Sequence, residues 1–102
     1  MTVSVYQRIQ TKNFDTWLNP DPEMPAGMLK EQGALSIQLT RSLDDPNLVV
    51  IHMEFPDEQT ARSFVEFYKQ IAPEYIKQNP GAAYESQEWI IGQNLDDYTR
   101  DL

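Results

Sequence analysis

The sequence predicts an α+β domain with elements in the order β-α-β-β-α-β, a four-stranded antiparallel sheet carrying both helices on one face. Three observations predict it. Stretches in which apolar residues alternate with polar ones recur along the chain. Two stretches with helical spacing lie between them. Asn, Asp, Pro and Gly mark the starts and stops. Elements in this order, joined by right-handed crossovers, leave few alternative arrangements.

The first strand covers about Val3 to Thr11, with Val3, Val5 and Ile9 alternating with Ser4, Tyr6, Arg8 and Gln10. Asn13 is placed to cap a helix, because its side chain accepts from the free amides of a first turn. Phe14, Trp17 and Leu18 follow as an apolar stripe. Pro20, Pro22 and Pro25 then break the helix, leaving an irregular Asn19–Met24 segment. A second short piece starts at Pro25, runs through Met28 and Leu29, and stops at Gly33.

Leu35, Ile37 and Leu39 alternate with Ser36, Gln38 and Thr40 in a second strand. Asp44-Asp45-Pro46-Asn47 is a turn, and a third strand runs from Asn47 to Phe55. A hairpin opposing Leu39 to Val49, Ile37 to Ile51 and Leu35 to Met53 matches every large apolar residue of one strand to one of the other. Asp57 caps a long helix whose stripe is Ala61, Phe64, Val65, Tyr68, Ala72, Tyr75 and Ile76; Pro73 is expected to kink or end it. Asn79-Pro80-Gly81 stops the run. A last strand covers about Glu85 to Gln93, with Trp89 and Ile91 inward.

A chain of 102 residues has the size of one domain, 1–102, with 96–102 as an acidic exposed arm or short extra turn. It lacks cysteine, so disulfides and thiolate metal sites are excluded, and a cytoplasmic, reducing compartment fits. One histidine cannot supply a typical zinc site from one chain, and no calcium-loop pattern occurs; no metal is expected. Eight Lys and Arg spread through a chain of net charge −8 argue against nucleic acid and anionic membranes. No apolar run approaches the roughly 20 residues of a membrane helix, and the N-terminus reads as a strand with no signal-peptide core.

Strand parity sorts the sheet into two faces. The helix side takes Val3, Val5, Ile9, Leu35, Ile37, Leu39, Val49, Ile51, Met53, Trp89 and Ile91. On the other side Tyr6, Leu48, Val50, His52 and Ile90 interrupt polar residues. A mixed apolar patch on an open sheet suggests a covering partner, most simply a second copy about a two-fold axis; the alternative is an ordinary face with scattered apolar residues. His52 is a general-base candidate by chemistry. Its parity puts it on the partner-facing side, hydrogen-bonded to Ser36 or Gln38. Arg41 ends the second strand. It is placed either to hold a carboxylate or phenolate at a pocket mouth, or to pair with Asp44 or Asp45.

The stretches KNFDTWL, GALSIQLTRSLDDPNLVVIHMEF and DEQTARSFVEFYKQIAP together resemble the dimeric α/β-barrel proteins of ferredoxin-like fold, particularly the antibiotic-biosynthesis-monooxygenase-like group. The shared features are Asp15 near Trp17, a strand ending in Arg41, the Asp-Asp-Pro-Asn turn, the Glu54-Phe55 strand end and the Ala61/Phe64 helix. The resemblance implies a homodimer. It implies that Phe14, Trp17, Phe64, Tyr68 and Trp89, with Arg41, line a place for a flat apolar substrate, although aromatics at helical spacing more often fill a core. A broken first helix would leave a cleft there, with Asn19–Met24 as its lid. The activity implied is that of a cofactor-independent monooxygenase on a small aromatic or quinol-like compound, which needs no cofactor. A dimer that binds a metabolite or another protein without catalysis is the alternative. Haem-degrading relatives carry an iron-ligating histidine on the second helix, and this helix has none.

Overall fold

The computed structural model describes residues 2–18, 28–98 and 101. The ordered strands are β1 (Val3–Thr11), β2 (Ser36–Arg41), β3 (Leu48–Phe55) and β4 (Tyr84–Gln93), and the helices are α1 (Phe14–Leu18) and α2 (Glu58–Gln78). They form one antiparallel sheet in the order β2-β3-β1-β4. The two central strands are β1 and β3, and their inward apolar residues Val5, Ile9, Val49, Met53 and Phe55 are fully buried.

Each helix begins where the sequence supplies an acceptor. Asn13 Oδ1 accepts from the amides of Asp15 and Thr16, and Asp57 Oδ1 accepts from Thr60 N at 2.8 Å. Residues 28–31 are helical and close on Gly33, whose φ of 91° is open to glycine but rarely to L side chains. A Cβ at Gly33 would also stand 2.6 Å from Thr60 Cγ2, so the stop is pressed against α2. The proline-rich stretch, with the expected start at Pro25 and the Asn19–Met24 lid, lies outside the described residues.

Two details depart from the sequence reading. The β2–β3 pairing is Ile37 with Met53, Leu39 with Ile51 and Arg41 with Val49, shifted by two residues from the expected hairpin. The cause lies in the turn. Pro46 has no amide to give a ladder. Asn47 is already engaged, its carbonyl accepting from Thr11 N and Oγ1 and its side chain from Phe14 N. The hairpin therefore closes at Ser42 N to Leu48 O, with Ser42 Oγ accepting from Asp44 and Asp45. A shift of two keeps every side chain on its predicted face. The second departure is that α2 continues through Pro73 to Gln78, where Asn79 N–H and Nδ2 both donate to Tyr75 O. In the tail, Asp96–Tyr98 form a 3-10 turn exposed to solvent.

Candidate functional site

Helix α2 packs chiefly on β1, β3 and β4. Strand β2 lies at the sheet edge beyond it, and all of β2 is exposed, including Ile37 and Leu39, whose side chains belong to the helix-side face. The offset opens a cavity of about 330 Å³. Its floor is Gln7 and Ile9 of β1, Ile51 and Met53 of β3, and Ile37 and Leu39 of β2. Phe64, Tyr68, Ala72 and Ile76 of α2 form one wall, Trp17 and Leu18 of α1 with Leu29 the opposite rim, and Ala82 one end. That end is closed by the Pro80–Ala82 turn packed on α1; a Cβ at Gly81 would lie 3.1 Å from Thr16 O.

The lining is aliphatic and aromatic apart from the Gln7 amide, the Tyr68 and Tyr75 hydroxyls and the Trp17 indole; among the described residues no Asp, Glu, Lys, Arg or His contributes. Gln7 is 2% exposed and bonds through Nε2 to Gln87 Oε1 at 2.9 Å, and Gln87 Nε2 donates to Tyr84 Oη at 2.8 Å. Tyr68 lines the cavity together with Gln7. Burial pushes its phenol above the ordinary value of 10.0; the Gln7 side chain opposes this in part, and Tyr84 and Tyr75 reinforce it. Tyr68 is therefore a hydrogen-bond donor at neutral pH, not a base.

Of the residues singled out as pocket candidates, Trp17, Phe64 and Tyr68 meet in this cavity. Phe14, Arg41 and Trp89 stand outside its lining. The Arg41 guanidinium lies 4.1 Å from the Phe14 ring centroid, and its Nε donates to Pro46 O at 2.7 Å. It pairs with neither Asp44 nor Asp45 and faces no pocket mouth. The two-residue register shift explains this, because it sets Arg41 opposite Val49 beside the turn. Trp89 packs edge-on behind Tyr68, ring centroids 5.1 Å apart, and its buried Nε1–H finds no acceptor among the described residues.

Gln7 escaped the sequence reading. Parity alone places it between Val5 and Ile9 on the buried face, and a polar residue breaking an inward apolar run was the available signal.

On the opposite face His52 pairs with Tyr6 in the β1–β3 ladder, and their rings stack at 4.5 Å and 7°. Its Nε2 lies 2.9 Å from Ser4 Oγ, not against Ser36 or Gln38. Ser4 Oγ also donates to Asn94 Oδ1, and Asn94 Nδ2 donates to Thr2 Oγ1, so His52 joins a polar chain that ends at Thr2. Leu48 and Val50 are half-buried, and Tyr6 and Ile90 are 40% and 63% exposed. Among the described residues no group of three His, Cys, Asp or Glu is arranged to hold a metal ion, and no helix is long and apolar enough to cross a membrane.

Solved structures share this architecture nearly end to end. A conserved protein from Methanosarcina mazei superposes with a TM-score of 0.66 at 19% identity, over 89% of this chain and 90% of that one. A candidate antibiotic biosynthesis monooxygenase from Nitrosomonas europaea gives 0.58 at 13% identity over 92% and 90%. A dimeric ferredoxin-like protein from an uncultured marine organism gives 0.55 at 13% over 89% and 91%. The fold shared with these structures is the ferredoxin-like α+β fold. No protein-family profile and no curated protein matches the chain. Within this fold the cavity sits between the sheet and its long helix, and the His52 face is the opposite side of the same sheet.

Proposed function

We propose that the chain is a homodimeric small-molecule protein whose cavity between α2 and β2 binds a flat, apolar, aromatic or quinol-like compound. The observation that carries this reading is a well-formed apolar cavity with polar groups converging at Gln7 and Tyr68 on its wall. A volume near 330 Å³ suits a molecule of two or three fused rings. Dimerisation through Tyr6, Leu48, Val50, His52 and Ile90 would cover the exposed apolar patch on the second face. A structural neighbour described as a dimeric ferredoxin-like protein supports it.

Oxygenation without a cofactor is the second reading, favoured by the donor pair Gln7 and Tyr68 inside an apolar enclosure, where a substrate anion can be held and water excluded. For an anthrone-type substrate the activated ring methylene becomes a carbonyl. One atom of dioxygen enters the product, and the other leaves as water with the two methylene hydrogens. Since no carboxylate or histidine lines the cavity among the described residues, such a substrate must ionise readily by itself.

Aerobic and anaerobic incubation with a panel of anthrone- and quinol-type compounds separates the readings. Oxygen uptake above background that is lost in Trp17→Ala identifies the oxygenase. Saturable quenching of Trp fluorescence without turnover identifies the binder. Absence of both overturns the small-molecule assignment. For the dimer, light scattering should give twice the chain mass for wild type and monomers for Ile90→Glu; a wild type that is monomeric at micromolar concentration removes the dimer.

A further inference from the structure

The geometry points to Gln7 as the residue that selects what the cavity holds: a flat apolar molecule presenting an acceptor oxygen, as a ketone, quinone or phenolate does, to the Gln7–Tyr68 pair. The inference rests on the cavity being a small-molecule site. Gln7 occupies a position where its neighbours of the same parity are Val5 and Ile9, and it faces Ile51 on one side and Trp89 on the other. An amide is unfavourable there unless its groups are paired. An aliphatic side chain would fill the same place at no such cost.

Counting hydrogens around Gln7 shows which kind of group is missing. The Gln7 amide nitrogen carries two hydrogens, and the bond to Gln87 Oε1 uses one. Among the described residues no hydrogen bond engages the second Gln7 N–H or the Tyr68 hydroxyl, and both residues line the cavity. Burial keeps the Tyr68 phenol protonated, so the surplus persists at neutral pH. Behind Tyr68 and outside the lining, the buried Trp89 N–H finds no acceptor among the described residues. The polar end of the site is thus rich in donors, and an oxygen with free lone pairs complements it. Gln87 and Tyr84 act as positioning residues: the Gln7–Gln87–Tyr84 chain fixes which way the Gln7 amide points.

Fluorene and 9-fluorenone test this, since the two planar compounds differ by a carbonyl in place of a methylene. Equilibrium dialysis of the wild-type protein should show fluorenone binding about ten-fold more tightly, the worth of one net hydrogen bond. Gln7→Met should bring the ratio close to one by weakening fluorenone while leaving fluorene unchanged. Tyr68→Phe, which keeps the ring, reads the same donor pair if the Gln7 variant fails to fold. Equal binding of both compounds by wild type, or a preference that survives both substitutions, overturns the role of Gln7 and leaves the cavity standing as a binding site. Failure of both compounds to bind removes the cavity reading, and the selection with it.

Discussion

The helix-side face of the sheet has two halves that share a sequence pattern and differ in fate. Toward β1 and β3, Val5, Ile9, Met53 and Phe55 lie at 0–1% exposure beneath Phe64 and the rest of α2. Toward β2, Ile37 and Leu39 alternate just as regularly and stay 43% and 42% exposed. The strand pattern tells which way a side chain faces, and the helix position decides whether anything sits on top of it. Because α2 is centred over one half, the other half keeps apolar floor that no described helix covers, and that difference shapes the cavity.

The contrast can be broken most forcefully at Phe64, which contacts Phe55, Tyr68 and Trp89. Phe64→Ala should cost about 3–5 kcal/mol in chemical denaturation; a loss below ~1 kcal/mol would mean the covered half is not a packed core. Gly33→Ala comes next, at about 1–2 kcal/mol, since the new methyl group meets both an unfavourable backbone angle and Thr60.

A smaller, pH-dependent effect belongs to Asp57 at the start of α2. Hydrogen bonds from the Thr60 amide and hydroxyl hold its carboxyl below the ordinary 3.8. A depressed folded value contributes stability above the unfolded one and loses it as pH falls through the folded one. Asp57→Asn should therefore melt below wild type at neutral pH, with the gap closing in acid; a constant gap would assign the effect to packing. Least of all, Leu39→Ser on the open half should move stability by no more than ~0.5 kcal/mol while weakening ligand binding. A large stability loss there would show that this half is covered after all.

Much of this was legible in the residues. Parity assigned both faces of β1 and β3, Asn13 and Asp57 announced their helices, and Gly33 marked a stop. What stayed hidden depended on partners far along the chain. The hairpin register turned on Asn47 being drawn to Thr11 and Phe14, contacts between residues more than thirty positions apart. Arg41 followed that register to the Phe14 ring. The meeting of Trp17, Phe64 and Tyr68 in one cavity depends on where α2 rests, which no local pattern encodes. Gln7 was readable from parity, because a lone amide in a run of inward aliphatics is already a sign of a polar task.

Pro73 gives the cavity wall an uneven stiffness. Lacking an amide hydrogen, it leaves the Lys69 carbonyl without its usual rung in the helical ladder. The turn and a half beyond it, carrying Tyr75 and Ile76 to the cavity, is joined to the rest of α2 by fewer bonds. Amide exchange should step from slow to fast across that residue, making the distal segment the part of the enclosure that opens first.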